Sequence, residues 1–258
     1  MIINRLKAKV KDNDSLYGIY LYFFHRQYYL HKKREWLFYK RLISPGALVF
    51  DIGANIGNKS KLFAGLGSPV IALEPDQTNY DSLIRRFRSK KQIRVLPLAV
   101  SHSKGVAKFY MLEPGSAYNT LNLKWKETLE DPQANRWHDS RNFQKEVEVP
   151  TTTIDALIDE FGIPEFIKID VEGNELSCIQ GLSQRVGLIS FEANLPEFKN
   201  ETLRILDHLN NIDKNVRFNY MRDDETFEFP QHLSHNEFYR FLESTGIRYM
   251  EIFSFMNK

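Results

Sequence analysis

Two stretches of this chain carry residue types at spacings that support chemistry. The first is Val49-Phe50-Asp51-Ile52-Gly53-Ala54-Asn55-Ile56-Gly57-Asn58, an apolar run that ends near an acid, passes two glycines and leads into Lys61-Leu62-Phe63. Gly53 suits a tight turn close to a ligand, and Gly57 suits close contact with a helix. A helix starting here would offer unpaired N–H donors and a positive partial charge. The glycines are spaced G-x-x-x-G, whereas dinucleotide sites use G-x-G-x-x-G. Asp51 would repel a pyrophosphate but attract the ammonium of an aminocarboxypropyl group. Glu74 closes a second apolar run, about 20 residues beyond the turn, where nucleotide-binding sheets place an acid for ribose hydroxyls. Ala99 follows a third run, at the edge where an adenine would lie. Asp76 reads as a helix cap and His102 as a surface-loop histidine.

The second stretch is Phe166-Ile167-Lys168-Ile169-Asp170-Val171-Glu172-Gly173-Asn174-Glu175. Asp170 and Glu172 are two apart, so they share a face if the strand persists. Carboxylates that close raise each other's proton affinity or require a cation. One of them would then accept a proton from a hydroxyl, or the pair would hold a divalent ion together with Glu192. Glu175 is read as a helix-start acid favoured by the dipole, and Thr151-Thr152-Thr153-Ile154-Asp155 as a capping sequence without chemistry.

Buried strands must position these groups. Residues 47–51, 70–74, 93–98, 166–170 and 187–192 are near-continuous apolar runs, most of them ending in acids, separated by amphipathic stretches. That alternation writes a parallel α/β sheet, whose ligands bind beyond the carboxyl ends of its strands. A hairpin is expected at 106–112, leading into a long polar segment at about 113–146 with Trp125 and Trp137. Loops of that length are usually lids or binding loops. Asn119, His138 and Arg141 add polar groups to it, and with an aromatic helix near 17–29 it is expected to form an acceptor pocket. Closing strands are read at 216–221 and 246–253 around a helix at 234–243.

The chain has 258 residues, 42% hydrophobic and 26% charged, enough for one α/β domain with a sizeable core. A net charge of +2 offers no basis for a nucleic-acid partner, which needs clustered Lys and Arg. Cys178 is the only cysteine, so no intrachain disulfide forms, and a reducing, cytoplasmic setting fits best. Arg5, Lys7, Lys9 and Lys11 precede an aromatic run at 16–24 that is too short and too rich in tyrosine to span a membrane. A peripheral membrane contact is the lesser reading there, and packing on the domain the greater.

The linked phrases VFDIGANIG at Val49, ALEPD at Ala72, TTTIDAL at Thr151, KIDVEGNE at Lys168 and SFEA at Ser190 resemble the FkbM family of methyltransferases. The resemblance spans roughly Glu35 to Leu195. It implies a Rossmann-like, doubly wound, mostly parallel seven-stranded sheet, S-adenosylmethionine as methyl donor, and an oxygen acceptor on a sugar or other small metabolite. By position, Asp51, Gly53, Asn55 and Gly57 would hold the methionine part, Glu74 the ribose, and Asp170 and Glu172 would face the methyl. Residues 1–45 are then an N-terminal helical segment packed on the core, and 46–258 the methyltransferase domain with its insertion. The rivals are a nicotinamide-dependent oxidoreductase, which the glycine spacing and Asp51 disfavour, and a noncatalytic binding module on the same fold.

Overall fold

The computed structural model describes residues 26–133, 141–223 and 226–256. The basic and aromatic run before residue 26 lies outside them, as do Trp137 and His138. The chain falls into two compact units, one of Ile43–Arg222 with Phe227–Lys258, the other of the remaining residues. In the smaller unit the described element is helix α1 (Arg26–Leu42), where Lys32 pairs with Glu35 at 2.7 Å.

The larger unit is built on β1 (Val49–Ile52), β2 (Val70–Leu73), β3 (Ile93–Leu96), β7 (Phe166–Ile169) and β8 (Leu188–Asn194), all paired in parallel. β1, β2 and β7 are buried along their whole length, which is why their sequences lack the alternation of a one-sided sheet. Helices α2 (Asn58–Gly65) and α3 (Gln77–Phe87) connect β1, β2 and β3, and α6 (Glu175–Gln180) connects β7 to β8. From β1 the chain winds outward one way, then returns to β7 on the opposite side of β1. The sheet is therefore doubly wound, with its switch point between β1 and β7.

β11 (Tyr249–Phe255), β9 (Arg217–Met221) and β10 (Leu233–Ser234) extend β8 antiparallel, joined by α7 (Lys199–Ile212) and α8 (His235–Ser244). The main sheet has eight strands where the sequence predicts seven, because the two-residue β10 adds itself at the edge. So short a strand leaves no periodic pattern to read.

A second sheet, absent from the sequence-based expectation, holds β4 (Ala99–Val100), β6 (Lys145–Thr152) and β5 (Gly105–Met111). The third long strand stops at Leu96 because Pro97 has no N–H to continue the ladder. Residues 106–112 form no hairpin of their own: β5 is one strand, antiparallel to β6 on the far side of the insertion. Within the insertion lies α4 (Leu123–Glu130), capped by Asn122, whose side chain accepts from the Trp125 N–H. α5 (Ile154–Phe161) starts under a Thr153 cap and stops at Gly162, as its sequence indicates.

Candidate active site

Gly53 sits at the switch point with φ +81°, and a Cβ there would lie 1.8 Å from the Asp170 carbonyl oxygen. Only glycine lets the ends of β1 and β7 approach this closely. Gly57, at φ +78°, would place a Cβ 2.6 Å from both Leu83 and Phe87 of α3, so its role is close helix contact. Between them Asn55 adopts φ 49°, an uncommon backbone that asparagine tolerates better than most residues.

This turn forms one wall of a cleft of about 120 Å3. Gly53, Asn55, Glu74, Ala99, Asp170 and Glu172 all line it. Glu74 is buried; its Oε2 accepts from the Asn55 N–H at 2.7 Å and its Oε1 from the Asp76 N–H at 2.8 Å. Burial pushes its proton affinity up to about 7, against the pull of those two bonds. The carboxylate is thus fixed in place with lone pairs to spare for further donors. Leu98, Ala99, Val100 and Phe109 give the cleft an apolar side.

Two of the predicted cofactor residues are not among the cleft lining. Asp51 is buried behind the turn, where it accepts a hydrogen bond from Ser60 Oγ, and burial raises its proton affinity. Gly57 faces α3. Both support the turn from behind.

The opposite wall is acidic. Lys168, 3% exposed, donates to Asp170 Oδ2 at 2.6 Å from two residues earlier on the same strand face. Burial works against its charge, but Asp170 and then Glu251 hold the ammonium above the usual lysine range. Glu172 has φ 53°, rare for a glutamate. Burial first, then Glu192, Asp170 and Glu175, raise its proton affinity well above the ordinary range. Glu192 lies directly across from Glu251 and accepts from the Tyr249 hydroxyl at 2.7 Å; burial and then Asp170 push it up to about 8. Among the described residues no group of three or more His, Cys, Asp or Glu side chains is placed to hold a metal ion. A metal-assisted route therefore finds no ligand set there, and none is derived.

Several residues take structural roles, as the sequence indicates for Glu175, Asp76 and His102 but not for Trp125. Glu175 Oε1 accepts from the Val171 and Gly173 N–H groups at 3.3 and 3.2 Å, tying the loop at the helix start. Asp76 Oδ1 caps α3 through Thr78 and Asn79. Its Oδ2 also accepts from Gly115 N–H and Asn119 Nδ2 of the insertion, at 3.0 and 2.9 Å. His102 is exposed beside Ser177 and outside the cleft lining. Trp125 is 2% exposed and packs on Phe198, with ring centroids 5.6 Å apart, so it anchors the insertion and offers no ring face to a ligand. The Arg141 guanidinium stacks over Tyr118, 3.4 Å from the ring centroid. Ser116, Ala117, Asn119, Thr120 and Leu121 bring the insertion into the cleft.

Sequence reasoning did not single out Lys168, Thr120 or Tyr249. The K-x-D spacing was the available signal for Lys168, whereas Thr120 and Tyr249 reach the acids only through tertiary contacts.

A doubly wound sheet with a glycine turn at its switch point and an acid closing β2 is a Rossmann-like fold that binds its ligand beyond the strand ends. The chain belongs to the FkbM methyltransferase family: the family model for the methyltransferase FkbM domain matches residues 51–239. This membership sets the nicotinamide oxidoreductase reading aside. Similar solved structures include a precorrin-6y C5,15-methyltransferase from Geobacter metallireducens, 11% identical, covering 88% of this chain and 86% of that one with a TM-score of 0.45. A TehB-like SAM-dependent methyltransferase from Corynebacterium glutamicum is 9% identical over 87% and 88% of the two chains, TM-score 0.44. A putative rRNA-methylase from Clostridium thermocellum is 8% identical over 89% and 96%, TM-score 0.45. Among curated proteins no match is found. No helix among the described residues is long and apolar enough to cross a membrane.

Proposed function

We propose that this methyltransferase moves a methyl group from S-adenosylmethionine to a hydroxyl oxygen of a small, hydroxylated acceptor such as a sugar. The observation that carries the reading is that one cleft is lined both by Glu74, an acid suited to ribose hydroxyls, and by Asp170 and Glu172, acids of the kind that orient a hydroxyl and take its proton. The residues present fit the family's cofactor. Glu74, fixed by two backbone N–H groups, would accept from the ribose hydroxyls. The apolar side around Leu98 and Ala99 would take the adenine, and the Gly53–Asn55 turn the methionine part. When bound, the cofactor supplies an electrophilic methyl on a sulfonium.

The chain's own part is to hold an acceptor oxygen toward that methyl, whose sulfur would leave with the electron pair of the broken bond. Glu172 takes the hydroxyl proton, and Asp170, with one oxygen held by Lys168, orients the hydroxyl. Alignment of acceptor and methyl in a partly dry cleft supplies much of the rate. The modest net charge and the narrow, partly apolar cleft favour a small molecule over nucleic acid, and a cytoplasmic setting would supply the cofactor.

Incubation with methyl-labelled S-adenosylmethionine and a panel of sugars, glycosides and other hydroxylated metabolites tests this. The expected product carries label on an oxygen. Transfer only to nitrogen, carbon or RNA would overturn the acceptor class, and cofactor binding without transfer to any acceptor would favour a noncatalytic module.

A further inference from the structure

The segment after β5 is a strap fastened on both sides of the cleft. Near its start, Gly115 and Asn119 donate to Asp76, two residues from the ribose acid Glu74. Near its end, Thr120 Oγ1 donates to the Glu172 carbonyl at 2.7 Å, and Asn122 Nδ2 donates to the Gly173 carbonyl. Thr120 is itself held: its N–H donates to the Tyr110 carbonyl at 3.0 Å and its carbonyl accepts from the Tyr110 N–H at 2.7 Å. Its hydroxyl also accepts from the Asn122 N–H at 2.9 Å, and the residue is 1% exposed. The single hydroxyl proton is therefore committed to Glu172.

The residue it grips is unusual. Glu172 holds a left-handed backbone at φ 53°, followed by Gly173 at φ 90°. Such a conformation persists only where its surroundings impose it. One flank is imposed by Glu175, which collects the Val171 and Gly173 N–H groups; the carbonyl flank is imposed by the strap.

We propose that Thr120 is a positioning residue for methyl transfer, holding the Glu172 peptide so that its carboxylate stays in the cleft. This rests on the reading of Glu172 as proton acceptor. The strap then does more than wall off the acceptor: it sets the geometry of the acid that the acceptor meets.

The test compares Thr120→Val, Thr120→Ala, Thr120→Ser and Glu172→Gln, alone and with Thr120→Val combined with Glu172→Gln, using labelled transfer and calorimetric cofactor titration. Thr120→Val and Thr120→Ala should lower kcat by about tenfold or more, since small misplacements of a reacting group are costly. Cofactor Kd should stay within about twofold, and Thr120→Ser, which keeps the hydroxyl, should restore most of the rate. In the Glu172→Gln background, Thr120→Val should add little, because both act through one group. Parental kcat in both Thr120→Val and Thr120→Ala overturns the proposal. So does loss of cofactor affinity in step with kcat, or a full additional loss in the double variant, either of which marks a merely structural role. Parental turnover in Glu172→Gln would instead remove the proton acceptor itself, and the role of Thr120 with it.

Discussion

Replacing Gly53 by alanine tests the central joint of the site. The added Cβ would stand 1.8 Å from the Asp170 carbonyl oxygen and 2.8 Å from its carbon, both rigid backbone. Real Cβ contacts do not fall under 3.0 Å, so the ends of β1 and β7 must separate by at least 1.2 Å. That displacement strains the Asp170 N–H to Ile52 carbonyl bond, 3.0 Å in the native fold, a loss of about 1 to 3 kcal/mol if the group is left unpaired. The left-handed backbone at φ +81° adds about 1 to 2 kcal/mol for any side chain. Together these give a destabilisation of roughly 2 to 5 kcal/mol, or roughly 10 °C in Tm for a protein of this size. Gly67→Ala is the control, because φ there is +94° but nothing lies within 4 Å of the added Cβ. It should lose only that backbone cost, about 1 to 2 kcal/mol. Thermal unfolding of the two variants beside the parent, with cofactor titration, decides the matter. Equal losses in both variants, with cofactor affinity intact in Gly53→Ala, would refute the close approach of β1 and β7 as the reason for the glycine.

Glu74→Ala should weaken S-adenosylmethionine binding by about 1 to 3 kcal/mol through lost charged hydrogen bonds, read by calorimetry; parental affinity would remove Glu74 from the ribose site. Because burial raises the proton affinity of Glu74 from 4.5 to about 7, the folded state keeps its proton while the unfolded chain ionises, so this contribution to stability is lost as pH rises between those values. Glu74→Gln should flatten that part of the stability profile, measured by denaturation between pH 5 and pH 8 at about one-unit steps. Asp170→Asn should keep cofactor binding yet reduce turnover by about 100-fold or more, and an unchanged rate at saturating acceptor would exclude it from the mechanism. Trp125→Ala should cost about 3 to 5 kcal/mol of stability, since the indole is buried against Phe198; a stable variant with only a raised acceptor KM would return Trp125 to the pocket.

What local sequence specifies here is specified well. Short, mainly apolar runs between polar turns name β1, β2 and β7, whose four residues are all buried, and side chains immediately ahead of a helix name the caps at Asp76 and Thr153. The glycine turn and the acid after β2 were legible for the same reason: their placement depends on position along a single βα unit. Register, distant pairing and side-chain direction are different. Nothing near residues 105–111 indicates that their partner is 145–152, because ladder bonds are made by backbone groups that every residue carries. The two-residue β10 was invisible because it is shorter than any period. Asp51 reads as a ligand group until the fold turns it toward Ser60, and Trp125 reads as an exposed platform until Phe198 covers it. The grip of Thr120 on Glu172 joins residues 52 positions apart, and the Tyr249 bond to Glu192 joins residues 57 apart. Sequence alone determined the order of the main-sheet strands and which residue types stand at their ends, since both are local. Only the tertiary structure decided which acids face the cleft and what holds them there, since those are properties of chain segments brought together by the shared core.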